Sequence, residues 1–143
     1  MERPVRSIIE DQKPVMASAD MTVSAAARVM KEQGIGALLV IREGRLAGIF
    51  TERDALFRVI AEGRDPAKTR IAEVMTANPR TIAPDRPFGH ALHLMYEGGF
   101  RHVPVVDDGR PLGVVSARDA LGPDLQQFIA DLDKRIHIGE ILG

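Results

Sequence analysis

Two short segments carry hydroxyl, carboxylate and guanidinium groups at one spacing: Thr51-Glu52-Arg53-Asp54 and Ser116-Ala117-Arg118-Asp119. Each follows a glycine and two apolar residues, Gly48-Ile49-Phe50 and Gly113-Val114-Val115. A hydroxyl before a helical turn can accept an orphan backbone N–H, and a carboxylate three residues later complements the positive end of the helix dipole. The same groups suit a ligand. A carboxylate accepts from two adjacent hydroxyls, free N–H groups at a helix start meet an anion, and Arg53 or Arg118 can add charge-assisted contacts. One copy alone reads as a capped helix; two copies at one spacing ask for more.

Other chemistry is thinly represented. His90 and His93 stand at i and i+3, and His102 and His137 lie elsewhere, with no carboxylate or cysteine at a recognisable metal-ligand spacing. They read as surface or phosphate-adjacent histidines. No nucleophile paired with a base can be nominated, so the chain is not read as an enzyme. There is no cysteine, which removes disulfides and thiolate chemistry. Nor does the net charge of −1, with one tyrosine and no tryptophan, supply the basic field and stacking rings of a nucleic-acid binder. No apolar run approaches membrane-spanning length and Met1–Arg6 lacks a signal-peptide core. The expectation is a cytoplasmic protein without nucleic-acid or membrane partners.

The elements that position these groups emerge from a repeat. Sliding the chain by the interval between Asp20 and Asp85 pairs Pro14 with Pro79, Met30 with Met95, Gly34 with Gly99 and Gly44-Arg45 with Gly109-Arg110. It also pairs Gly48 with Gly113 and Arg53-Asp54-Ala55-Leu56 with Arg118-Asp119-Ala120-Leu121. About a third of the paired positions are identical without a gap, which indicates a duplication. Each copy reads as an extended piece (Val15–Ala17; Thr81–Ala83), a helix (Val23–Gln33; Phe88–Glu97), two strands and a final helix opening at Thr51 or Ser116. In the second copy Phe88, Ala91, Leu92, Met95 and Tyr96 mark the apolar face. Glycine closes both helices, and Glu43-Gly44 and Asp108-Gly109 are hairpin turns. Pro104 cannot donate to a ladder, so a strand start or an edge is expected there.

The predicted fold is therefore α/β (α+β), with repeats at 1–62 and 70–121, a linker at 63–69 and a helical tail at 122–143. In the tail Leu125, Phe128, Ile129, Leu132 and Ile136 are spaced as one helix face, packed on its own core or extending a dimer interface.

This duplicated pattern resembles a pair of CBS domains, the nucleotide-sensing repeats named after cystathionine β-synthase, from about Val5 to Leu121. Its specific elements are the two glycine-through-aspartate segments and Phe100-Arg101-His102-Val103-Pro104-Val105-Val106-Asp107. The resemblance implies two βαββα repeats about a pseudo-twofold axis, small sheets packed together and helices outside. It implies clefts for AMP, ADP, ATP or another adenosyl ligand, with no required cofactor or metal, and a homodimer acting on an unidentified protein target. Asp54 and Asp119 would hold ribose hydroxyls, and Thr51, Ser116, Arg53 and Arg118 would lie near phosphate. Further ligand positions carried over are Met16, Ala17, Ser18, Gly36, Ala37 and Leu38 in the first repeat, and Thr81, Ile82, Ala83, Arg101, His102, Val103 and Pro104 in the second. Because Arg101-His102 matches the uncharged Gly36-Ala37, the Asp119 cleft is expected to be the better anion site. A ligand-free structural dimer is the alternative.

Overall fold

The computed structural model describes residues 2–122 and 130–134. In chain order the elements are α1 (Val5–Ile9), β1 (Met16–Ser18), α2 (Val23–Gln33), β2 (Ala37–Arg42) and β3 (Arg45–Thr51). There follow α3 (Glu52–Asp54), which runs on as a π-helical segment (Ala55–Ile60), then α4 (Ile71–Val74) and β4 (Thr76–Ala77). The second half continues with α5 (Phe88–Gly98), β5 (His102–Asp107), β6 (Arg110–Ser116) and a 3-10 segment (Ala117–Leu121). Residues 130–134 are helical. Of the tail residues read as one apolar face, Leu132 is exposed, and Leu125, Phe128, Ile129 and Ile136 lie outside the described residues, as does His137.

Local chemistry accounts for the element ends. Thr22 caps α2 by accepting from the Ala25 N–H at 3.2 Å. At the other end Gly34 adopts φ 64°, letting its N–H reach the Lys31 carbonyl and Ile35 N–H reach that of Met30. Gly99, at φ 70°, closes α5 with one bond to the Met95 carbonyl. Glu43-Gly44 and Asp108-Gly109 each place two successive residues at positive φ, the twist an antiparallel two-residue hairpin demands. On α5 the buried stripe is Phe88, Ala91, Leu94 and Met95, and Tyr96 is almost fully exposed. At 100° per residue Tyr96 falls about 130° from the centre of that stripe, so its inclusion in the apolar face is corrected. The final helices differ from the regular ones expected. The first is mostly π-helical and the second is a 3-10 segment over Ala117–Leu121.

Two cores form, and each borrows its lid from the other repeat. Val5 and Ile9 of α1 join Phe88, Val103, Val105 and Val115 in the second core. Ile71 and Val74 of α4 join Leu38, Val40 and Phe50 in the first. The docking bonds match: Val5 and Arg6 N–H donate to the Arg86 and Pro84 carbonyls, and Ile71 and Ala72 N–H to those of Met21 and Ala19.

The sheets are unequal. The first has order β1-β2-β3-β4, with β1 parallel to β2 through Met16↔Leu39, Ala17↔Val40 and Ser18↔Ile41. In the second, β5 and β6 pair antiparallel and the parallel partner shrinks to one bridge, Ile82↔Val105. Pro104 is the reason. Its repeat mate Leu39 donates its N–H to the Val15 carbonyl, and proline has no N–H to give. Pro104 is not at a strand start but it does lie on an edge: it sits inside β5, which pairs along its length only with β6, and its carbonyl accepts from Ile82 N–H on the open side. At the outer edge of β3 the first sheet gains β4 from the second half, a strand of two residues, too short to show alternation in sequence. On β6 the side chain of Gln12 does similar work, donating to the Val114 carbonyl at 2.8 Å and accepting from its N–H at 3.0 Å.

Candidate functional site

Both signature turns fold as reciprocal caps. Thr51 donates its backbone N–H (2.9 Å) and its hydroxyl (3.1 Å) to Asp54 Oδ2, and Asp54 N–H donates back to Thr51 Oγ1 at 3.3 Å. Ser116 donates N–H (2.7 Å) and hydroxyl (3.4 Å) to Asp119 Oδ2. The opening glycines answer to packing rather than to φ, strictly at Gly48 and less so at Gly113. A Cβ on Gly48 would lie 2.7 Å from the backbone oxygen of Thr76, and one on Gly113 would lie 2.7 Å from Gln12 Oε1.

The surroundings of the two carboxylates differ sharply. A cleft of about 870 Å³ opens beside Asp54, walled by Thr51, Glu52, Arg53, Phe57 and Arg58 from the first repeat. Its other wall comes from the second half: Thr76, Asn78, Pro79, Arg80, Phe100, Arg101 and His102. Asp54 is 8% exposed at its base. Four arginines and His102 face two carboxylates, Glu52 and Asp54, so the cleft favours an anion. Arg80 lies 3.7 Å from Glu97, and Arg53 donates to the Gly99 carbonyl at 3.3 Å while stacking over Phe57. Arg101 is exposed and His102 half-buried. Burial pushes the His102 imidazole below its ordinary value, against the opposing pull of Glu52 and Asp119 and with a small further push from Arg101. It is therefore neutral at neutral pH.

Ser116, Arg118 and Asp119 line a separate cleft of about 430 Å³ with Arg3, Ser7 and Ile8. Arg3 donates to the Asp119 carbonyl at 2.7 Å and stacks over Phe88. The expected grouping of Arg101-His102 with Asp119 is thereby corrected. His102 is the register partner of Ser116 on β6, yet with Arg101 it lines the Asp54 cleft. Arg101 and His102 stand where the chain passes from α5 into β5, and there they line a cleft whose other wall is the first repeat.

The remaining positions carried over do not line the large cleft. Ala17, Leu38, Ile82, Val103 and Pro104 are buried; Met16, Ser18, Thr81 and Ala83 are exposed. Gly36 and Ala37 are half-buried, with the Gly36 carbonyl accepting from Glu52 N–H at 3.0 Å. Sequence reasoning missed Phe57, Arg58, Arg80 and Phe100 as cleft residues. Arg80 had a signal, since it directly precedes the Thr81 segment. His93 Nε2 lies 2.8 Å from Glu97 Oε1, and among the described residues no three metal-ligating side chains cluster. No described helix is long and apolar enough to cross a membrane.

A family model for the CBS domain matches residues 5–61 and again 71–122. The chain belongs to the CBS-domain family. The CBS domain-containing protein CBSCBSPB1 of Arabidopsis thaliana is 42% identical over 118 residues, covering 80% of this chain and 22% of that protein. The mitochondrial CBS domain-containing protein CBSX3 of the same plant is 36% identical over 122 residues, 82% of this chain and 59% of that one. The chain thus spans less than two thirds of these curated relatives. A solved structure of a protein with CBS domains from Burkholderia ambifaria is similar at TM-score 0.76 and 34% identity, covering 90% of this chain and 96% of the other. This CBS pair has its two repeats in tandem, each completed by the head helix of its neighbour.

Proposed function

We propose that this CBS pair is a non-catalytic regulatory module that binds an adenine nucleotide, AMP, ADP or ATP, in the Asp54 cleft. One observation carries the reading: the Thr51/Asp54 cap from one repeat and Arg80, Arg101 and His102 from the other share a single cavity. Asp54 accepts from the cis hydroxyls of the ribose, Arg80 and Arg101 opposite take the phosphate with the neutral His102 as a hydrogen-bond donor beside them, and Phe57 and Phe100 offer apolar walls to the base. A volume of about 870 Å³ suits a nucleotide, within the roughly 300–1,000 Å³ of small-molecule sites. The Asp119 cleft, with Arg3 and Arg118, is smaller and ranks second.

The module works as a homodimer that passes ligand occupancy to a protein target in the cytoplasm. Leu56, Phe57 and Ile60 of the π-helical segment are 51–67% exposed, an apolar strip beside the cleft that a second copy covers. That strip also supports the alternative of a purely structural dimer. Calorimetric titration with AMP, ADP and ATP separates the two. Nucleotide binding is expected to be lost with Asp54→Ala to a greater extent than with Asp119→Ala. Absence of heat with every adenine ligand would leave the structural dimer, and a greater loss with Asp119→Ala would reverse the ranking of the clefts.

A further inference from the structure

Neither oxygen of the Asp54 carboxylate stands idle. Oδ2 is consumed by the Thr51 cap, and Oδ1 lies 3.5 Å from Arg58 Nε. The same guanidinium donates through Nη1 to the carbonyls of Val74 (3.1 Å) and Met75 (3.0 Å), the last turn of α4. Arg58 therefore bridges the floor of the cleft to the hinge where α4 passes into β4. It is half exposed, whereas Asp54 is buried, so the arginine is the partner free to move. The second repeat has no such bridge. Its matching position is Pro123, and among the described residues no cation lies within ion-pair distance of Asp119.

We infer that Arg58 is a latch that holds the Asp54 carboxylate and reports its capture to α4 and β4. This rests on the reading of Asp54 as the ribose acceptor. Releasing Oδ2 would uncap the turn, so the arriving hydroxyls take Oδ1, the more weakly held oxygen. The guanidinium swings aside, and its grip on the Val74 and Met75 carbonyls loosens. Thr76 and Ala77 follow directly and pair with Ile49 and Gly48, so the strand edge next to the cleft feels the release. Arg58 is a positioning residue here, acting on ligand through Asp54.

The test is titration of wild type, Arg58→Ala and Arg58→Lys with AMP, together with amide hydrogen exchange over residues 75–78. A half-exposed ion pair that ligand must break predicts about two- to fivefold tighter AMP binding in Arg58→Ala. Arg58→Lys keeps the charge without the bridge, and is expected to fold as wild type and bind between the two. In wild type AMP should speed exchange at 75–78; in Arg58→Ala exchange there should be fast already and indifferent to AMP. Equal or weaker AMP binding by Arg58→Ala overturns the latch while leaving the nucleotide reading intact. No binding by any of the three proteins overturns the nucleotide reading, and the latch with it.

Discussion

Replacing the glycine that opens each signature strand with alanine should have unequal effects, although both repeats carry it. At Gly48 the added Cβ would lie 2.7 Å from the Thr76 carbonyl oxygen and 2.5 Å from Met75 Sδ. The methionine can turn away, but the oxygen belongs to β4, and Gly48 is paired on both sides, with Val40 and with Ala77. Relief therefore requires β4 to move off β3. Overpacking of this kind costs about 1–3 kcal/mol, and a weakened ladder bond about 1 kcal/mol more. At Gly113 the obstacles are Gln12 Oε1 at 2.7 Å and Ile9 Cβ at 3.0 Å. The amide can rotate out, giving up its two bonds to Val114, for a total of about 1–2 kcal/mol. At about 3 °C per kcal/mol for a domain of this size, Gly48→Ala should lower Tm by about 6–12 °C and Gly113→Ala by about 3–6 °C. Thermal melts followed by circular dichroism measure both. Since Thr76 of β4 and the Asn78, Pro79 and Arg80 that follow it line the cleft wall, Gly48→Ala should also weaken AMP binding. A Gly113→Ala protein melting at or below Gly48→Ala would refute the reasoning, because it would mean that side-chain obstacles outweigh a backbone one.

Two further outcomes follow from the site. Because burial holds His102 below its unfolded value near 6.5, the folded protein resists the proton that the unfolded chain accepts, so its contribution to stability is complete above that pH and falls as acid is added. The decline of Tm from pH 7 to pH 5 should be shallower in His102→Gln than in wild type, and identical slopes would show that this histidine is not the group responsible. Ile60→Lys, on the outer face of the π-helical segment, should shift the protein from dimer toward monomer in light scattering coupled to size exclusion, with no loss of helix signal. A mass unchanged from wild type would remove this strip as the interface of the proposed homodimer.

What could be read from sequence is what depends on neighbours along the chain. The hairpins follow from Glu43-Gly44 and Asp108-Gly109, the helix ends from Gly34 and Gly99, and the signature caps from a hydroxyl three residues before a carboxylate. The limits were also local. Helical spacing admits Tyr96 at the margin of the apolar face, where only the packing of α5 shows it exposed, and β4 is two residues long, below the length at which alternation speaks. Pro104 was recognised as a residue that cannot donate, but its consequence needed the partner strand. Only with Val15 opposite Leu39 is it clear which bond the second repeat lacks.

The duplication and its reciprocal caps were determined by the sequence itself, because their geometry spans three or four residues and is dictated by backbone donors that must be satisfied. Tertiary structure alone decided which cleft Arg101 and His102 serve. They lie next to Ser116 in the ladder and belong by sequence to the repeat of Asp119, yet where the chain passes from α5 into β5 they line the cleft of Asp54. The exchange of α1 and α4 between cores is of the same kind. A short amphipathic helix must bury its apolar face, but its own residues do not say on which of two equivalent surfaces; chain length and the packing of the halves settle that. Arg58 reaching two carbonyls of α4 could not have been read from spacing, since its partners lie sixteen and seventeen residues away across a linker.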